Sequence, residues 1–239
     1  MKRVYFLLFF ILYGLTCPTF TFAQESRLTV KAFADILEKS EHPQILDARS
    51  PEEFAGNHIK GAINVPVTDR QDMDTIFGKL NPNAPTFTYS INSGRGKILA
   101  DRLRKAGFRE VYALPGGLAG WVGEGYPLET SGTNDAALTV EQFRRIIASE
   151  PYILASFGSG YCGGCRRLVP VVDALKKEYA EQLKTVEIEL EENPAIIKDQ
   201  KIEALPTLIL FRQSKPVWRH KGFINETELS QTIGKFMRL

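Results

Sequence analysis

Apolar residues recur at Val30, Phe33, Ile36 and Leu37, one face of a helix reaching about Ser40, behind a Thr29 suited to cap its first turn. The pattern then tightens into short buried runs at 45–47 and 62–67, the second closing at Pro66, which read as strands. A strand at 86–90, a helix at 97–106 and a strand at 111–114 follow. This alternation predicts a mainly parallel sheet covered by helices. Residues 129–137 (ETSGTNDAA) carry no apolar period and have linker composition. Beyond them Thr139 heads a helix at 140–148, then come a strand at 152–157 and a helix reaching about 180. A strand at 185–190, a short helix at 195–200, strands at 207–211 and 217–220 and a last helix from 225 complete the chain. The expected class is α/β in two units, 24–130 and 138–239, joined by a linker at 131–137, with no internal repeat.

The first residues follow a different logic. Lys2 and Arg3 precede an apolar run at 4–15, then a polar stretch containing Pro18, with Thr21 and Ala23 placed as the small residues before a cleavage point. Residues 1–23 are therefore expected to be a signal peptide for export to a bacterial periplasm. The rival is an uncleaved anchor, since 4–24 carries no charge, but its second half is too polar for a span of about 20 apolar residues.

Cleavage changes the composition in two ways. The full chain of 239 residues has 30 Lys plus Arg against 28 Asp plus Glu; without Lys2 and Arg3 the signs balance, which gives no electrostatic reason to expect nucleic acid or stable membrane insertion. Of three cysteines Cys17 leaves, and Cys162 and Cys165 remain in one tetrapeptide. Two cysteines exclude a disulfide-built scaffold.

That tetrapeptide, Cys162-Gly163-Gly164-Cys165, stands between a buried strand and a helix. A cysteine at a helix N-terminus meets unpaired backbone N–H groups and the positive end of the dipole, which favour thiolate over thiol. Arg166 and Arg167 add positive charge, and the spacing lets the two sulfurs close a disulfide. The chemistry expected is attack by Cys162 on a substrate disulfide, followed by resolution by Cys165. A zinc half-site is the poorer reading, because there is no second CxxC and the three His, at 42, 58 and 220, are scattered. A purely structural bridge over so short a loop would remove little chain entropy. No metal and no cofactor is expected.

Residues 138–239 resemble the thioredoxin fold. Pro170 lies five residues after Cys165, where thioredoxins kink their active-site helix, and Leu205-Pro206-Thr207 resembles the cis-proline loop that pairs with substrate backbone. Gly222 matches a further loop glycine. Some positions depart from the pattern: Tyr161 stands where tryptophan is usual, Gly163-Gly164 where Gly-Pro is usual. The buried Asp of thioredoxins is Ser156 here, and the Lys usually paired with it is Glu187. The resemblance makes Glu187 a candidate proton acceptor for the resolving thiol, against the plainer reading of a solvated side chain with water as base.

The first unit resembles a rhodanese domain. Leu46-Asp47-Ala48-Arg49, Pro51-Glu52-Glu53-Phe54, His58-Ile59 and Gly61-Ala62-Ile63-Asn64-Val65-Pro66 match its N-terminal signature, and Leu114-Pro115-Gly116-Gly117 with Gly120-Trp121 its C-terminal one. Between them a rhodanese places a nucleophilic Cys and an anion-cradling loop closed by Arg. Here the stretch is Ser90, Ile91, Asn92, Ser93, Gly94 and Arg95, so the Arg spacing survives while the nucleophile is an alcohol. An alcohol neither ionises near neutral pH nor carries sulfane sulfur as a persulfide, which predicts an inactive domain. Ser90 and Arg95 either bind an anion or merely satisfy the local backbone. Asp47 and Arg49 are expected as a buried pair, Trp121 and Trp218 as packing residues, and His220 as exposed.

The combined expectation is an exported thiol-disulfide oxidoreductase acting on protein thiols and disulfides, with the rhodanese-like unit as binding module. Lacking a helical insertion before the proline loop and a His within the CxxC, it reads as a reductant, supplied by a membrane thiol-relay protein. The alternatives are a non-enzymatic redox-sensing or anion- or protein-binding protein, and a persulfide relay through Cys162.

Overall fold

The computed structural model describes residues 28–130 and 137–237; the expected signal peptide and most of the expected linker lie outside them. The first unit runs α1 (Val30–Lys39), β1 (Gln44–Asp47), α2 (Pro51–Gly56), β2 (Asn57–His58), β3 (Ala62–Asn64), α3 (Arg70–Phe77), β4 (Thr86–Tyr89), α4 (Ser93–Lys105), β5 (Val111–Ala113), α5 (Gly117–Gly123) and β6 (Glu129–Thr130). β3-β1-β4-β5 form a parallel sheet, in agreement with the strand–helix alternation. Thr29 caps α1 by accepting from the Ala32 N–H, as its position suggests.

Three features depart from the sequence expectation. α2, closed at its start by a reciprocal Ser50–Glu53 capping box, α3 and the glycine-rich α5 are additional helices. α4 starts four residues before the expected 97, because the Ser90 side chain accepts from the Gly96 N–H at 3.1 Å and locks the turn. Residues 129–130, of linker composition, pair antiparallel with Asn57 and His58 as a separate two-stranded sheet.

The second unit runs α6 (Val140–Ala148), β7 (Tyr152–Gly158), α7 (Gly163–Glu178), β8 (Lys184–Glu189), α8 (Pro194–Asp199), β9 (Thr207–Arg212), β10 (Lys215–Lys221) and α9 (Glu226–Met237). Its sheet has the order β10-β9-β7-β8, with β7 parallel to β8 and β9 antiparallel to both neighbours. α7 contains Pro170.

Each sheet has an outer core. Leu46, Val65, Leu99 and Leu103 fill that of the first; Leu154, Leu168, Leu210 and Ile233 fill that of the second. The inner faces meet. Phe33, Phe87 and Trp121 belong to the same continuous apolar cluster as Phe143, Phe157, Ile202 and Phe211. Phe33 packs edge-on against both Phe87 and Trp121, and Phe143 edge-on against Phe157 and Phe211.

The seam in this shared core is α5 against α8 and the residues after it. A Cβ on Gly123 would stand 2.2 Å from the Ile202 carbonyl oxygen, and one on Gly116 2.4 Å from that of Glu203. Backbone touches backbone there, which only glycine permits.

Deep in the first unit Arg49, fully buried, donates twice to Asp47 and also to Asn57. The expected buried pair is thus part of a satisfied network, with Tyr89 Oη accepting from the Ile59 N–H beside it. His58 stacks on Phe54 and Trp121 Nε1 donates to the Pro127 carbonyl. His220 is half-buried rather than exposed, stacked on Trp218.

Candidate redox site

Parallel pairing of β7 with β8 carries the chain to Gly158 at the sheet's end, and α7 starts directly after the turn. Cys162 is the N-cap of α7 and is disulfide-bonded to Cys165, with Cα atoms 5.2 Å apart. Its sulfur accepts from the Cys165 N–H at 3.2 Å, the orphan-donor contact that favours negative charge on the first sulfur. Arg166 turns to the Gly160 carbonyl, and the Arg167 guanidinium lies over the Phe223 ring.

The Leu205-Pro206-Thr207 loop faces this helix start. Its Leu205–Pro206 peptide bond is cis, and a Cβ on Gly164 would stand 3.2 Å from Pro206 Cδ and 3.9 Å from Cys162 Sγ. Thr207 Oγ1 donates to the Ala204 carbonyl, and the Gly222 N–H donates to that of Pro206. The sequence-selected residues Cys162, Cys165, Leu205, Pro206 and Thr207 are therefore gathered in one place.

Glu187 is exposed on β8, opposite Ser156. Two residues further along β8, Glu189 lies opposite Gly158. A Cβ on Gly158 would stand 3.5 Å from Glu189 Oε1 and 3.8 Å from Cys165 Sγ, so the absent side chain leaves a small space flanked by acid and sulfur. Burial, then the charge of Glu191, holds the Glu189 carboxyl above the usual carboxylate range. Burial also raises Glu191, against the pull of a hydrogen bond donated by Ser159 Oγ. Both acids line an open cleft of about 760 Å³ between the two units, with Glu53, Asn57 and Tyr161 on its wall. Among the described residues no group of three His, Cys, Asp or Glu is placed to hold a metal ion.

The rhodanese-like loop reaches the same site. Ser90 is buried at 1% exposure; its hydroxyl donates to the Asn92 carbonyl and accepts from Gly96. Ser93, Gly94 and Arg95 form the first turn of α4, and Arg95 is paired with Glu53. Asn92, the N-cap of α4, makes no cap bond. Instead its side-chain amide donates to the Leu205 carbonyl at 3.1 Å, accepts from the Leu205 N–H at 3.2 Å, and points Nδ2 at Cys162 Sγ 3.5 Å away. Sequence reading placed Asn92 in the loop without this role; an N-cap asparagine usually signals only a helix start.

Comparison with known proteins follows the same division. The Rhodanese-like domain model matches residues 29–124 and the Thioredoxin model residues 134–235. Thioredoxin 1 of Synechococcus elongatus is 32% identical over 103 residues, covering 43% of this chain and 96% of that protein. The thioredoxin of Porphyra purpurea is 31% identical over 110 residues, 46% of this chain and 99% of its own. A solved thioredoxin of Plasmodium falciparum is 23% identical, covering 41% of this chain and 93% of its own with a TM-score of 0.38. The chain belongs to the thioredoxin family through its C-terminal unit, which follows a rhodanese-like domain.

Proposed function

We propose that this protein is a thiol-disulfide oxidoreductase working through Cys162 and Cys165, with a rhodanese-like unit that carries no sulfurtransferase activity. The observation that carries this reading is the apposition of the N-capping Cys162 to the Leu205-Pro206 loop. In the reducing direction the Cys162 thiolate attacks a substrate disulfide and expels one substrate sulfur as thiolate. Cys165, deprotonated, then attacks Cys162 Sγ and releases the second. The protein is left with the Cys162–Cys165 disulfide, and a dithiol partner must return two electrons. Glu189, beside Cys165, is suited to accept the resolving proton.

Residues 1–23 have the layout of an export signal, which favours the periplasm and a membrane thiol-relay protein as electron source. No helix among the described residues is long and apolar enough to cross a membrane. The inert rhodanese reading rests on Ser90, whose hydroxyl is engaged within its own loop.

The test is a Cys165→Ser trap expressed with residues 1–239. Proteins disulfide-linked to Cys162 in the periplasmic fraction, released by reductant, support the reading; absence of any adduct above a Cys162→Ser/Cys165→Ser control rejects it.

A further inference from the structure

Asn92 presents one carbonyl and one N–H in a plane, the same pair that a peptide bond presents. It uses both on Leu205, the residue ahead of the cis proline, and it also addresses Cys162 Sγ. An extended polypeptide adding to this loop would need the same Leu205 N–H and carbonyl. Cys162 is only 1% exposed, so an incoming thiolate has no open line to its sulfur while the units are docked. Moreover, Asn92 is an N-cap whose side chain leaves its own helix uncapped in favour of the neighbouring unit. That arrangement gives up a cap bond in favour of the contact with Leu205.

We infer that the rhodanese-like unit is a tethered occupant of the redox site, with Asn92 holding the place of substrate main chain. The docked form is closed. Turnover requires the loop tip to withdraw, and a protein substrate competes with a group already present at high effective concentration. What is excluded rests on the oxidoreductase reading above; the shielding itself is a property of the disulfide and can be measured without a substrate.

The experiment follows reduction of the Cys162–Cys165 disulfide by dithiothreitol in the full chain, at one pH, by acid quench and thiol labelling. The attacking thiolate is external, so its concentration is the same for every variant. Asn92→Ala removes the occupant. Gly123→Ala places a methyl group against the Ile202 carbonyl and loosens the seam from a distance. Both are expected to speed reduction about five- to thirtyfold, the span of one to two neutral hydrogen bonds. Rates within twofold of the unmodified chain for both variants would overturn the inference. Turnover of insulin disulfides is a separate arm. Faster reduction of the variants with no insulin turnover by any form keeps the occupant and rejects the oxidoreductase. Equal insulin turnover by the unmodified chain and Asn92→Ala keeps the oxidoreductase and rejects the occupant.

Discussion

Arg95 holds Glu53 at both ends, Nη1 to Oε2 and Nη2 to Oε1, each at 2.6 Å. The carboxylate is 4% exposed and the guanidinium 30%. The arginine that the rhodanese resemblance assigns to an anion cradle is thus already neutralised by a buried acid on α2. Arg95→Ala is expected to destabilise the fold by about 2–4 kcal/mol, because it strands that acid. Urea unfolding of Arg95→Ala, Glu53→Gln and the double variant checks it, the double losing less than the sum of the two singles.

Restoring sulfur at position 90 is not expected to restore sulfur transfer. Ser90 is buried, and Gly117 packs so closely that a Cβ there would stand 2.4 Å from the Ser90 carbonyl oxygen. A thiol in that place would be desolvated and held in its neutral form. Ser90→Cys in a Cys162→Ser/Cys165→Ser background should form thiocyanate from thiosulfate and cyanide at the uncatalysed rate.

Glu189 gives a pH signature. Its burial raises the folded-state pKa above the ordinary value, so proton acceptance from Cys165 should strengthen as pH rises through that raised value. Glu189→Gln is expected to slow resolution of a mixed disulfide by about a hundredfold and to remove this limb. Glu187→Gln should leave the profile unchanged; a profile altered by Glu187→Gln alone would contradict the placement. Linkage gives a second sign. Between the unfolded and the raised folded value the native state holds the extra proton, so stability falls as pH climbs across that window. The Gln variant should lose that slope in urea titrations.

A shared core implies shared unfolding. Because Phe33 and Phe211 belong to one apolar cluster, calorimetry should show a single transition rather than one per unit. Phe33→Ala, at a fully buried position, should cost about 3–5 kcal/mol and shift that single transition as a whole. Two resolved transitions would show that the seam contributes little.

Much of this was legible in the sequence for local reasons. Thr29 and Thr139 mark the starts of α1 and α6, where side-chain oxygens do cap the first turns. The CxxC announces itself by standing between an apolar run and a helix. α5 escaped because three of its seven residues are glycines, poor helix formers that are there for close approach to 90–92 and 202–203. Strand parity put Glu187 and Glu189 on one face of β8, but not which of them meets Cys165. The difference lies on the partner strand, where Glu189 stands opposite Gly158, whose missing side chain leaves space flanked by the acid and Cys165. Asn92 was out of reach for a different reason. Its partner lies 113 residues away, and no periodicity encodes a contact between two separately folded patterns.

The glycine seam bears on how such a chain can change over generations. At 123 and 202 two main chains share a boundary with no side chain to act as a buffer, so neither surface can drift without a matching shift in the other. Exchanging either unit for a homologue from a free-standing thioredoxin or rhodanese would bring a mismatched surface to that boundary. A change on one side of that boundary therefore calls for a matching change on the other.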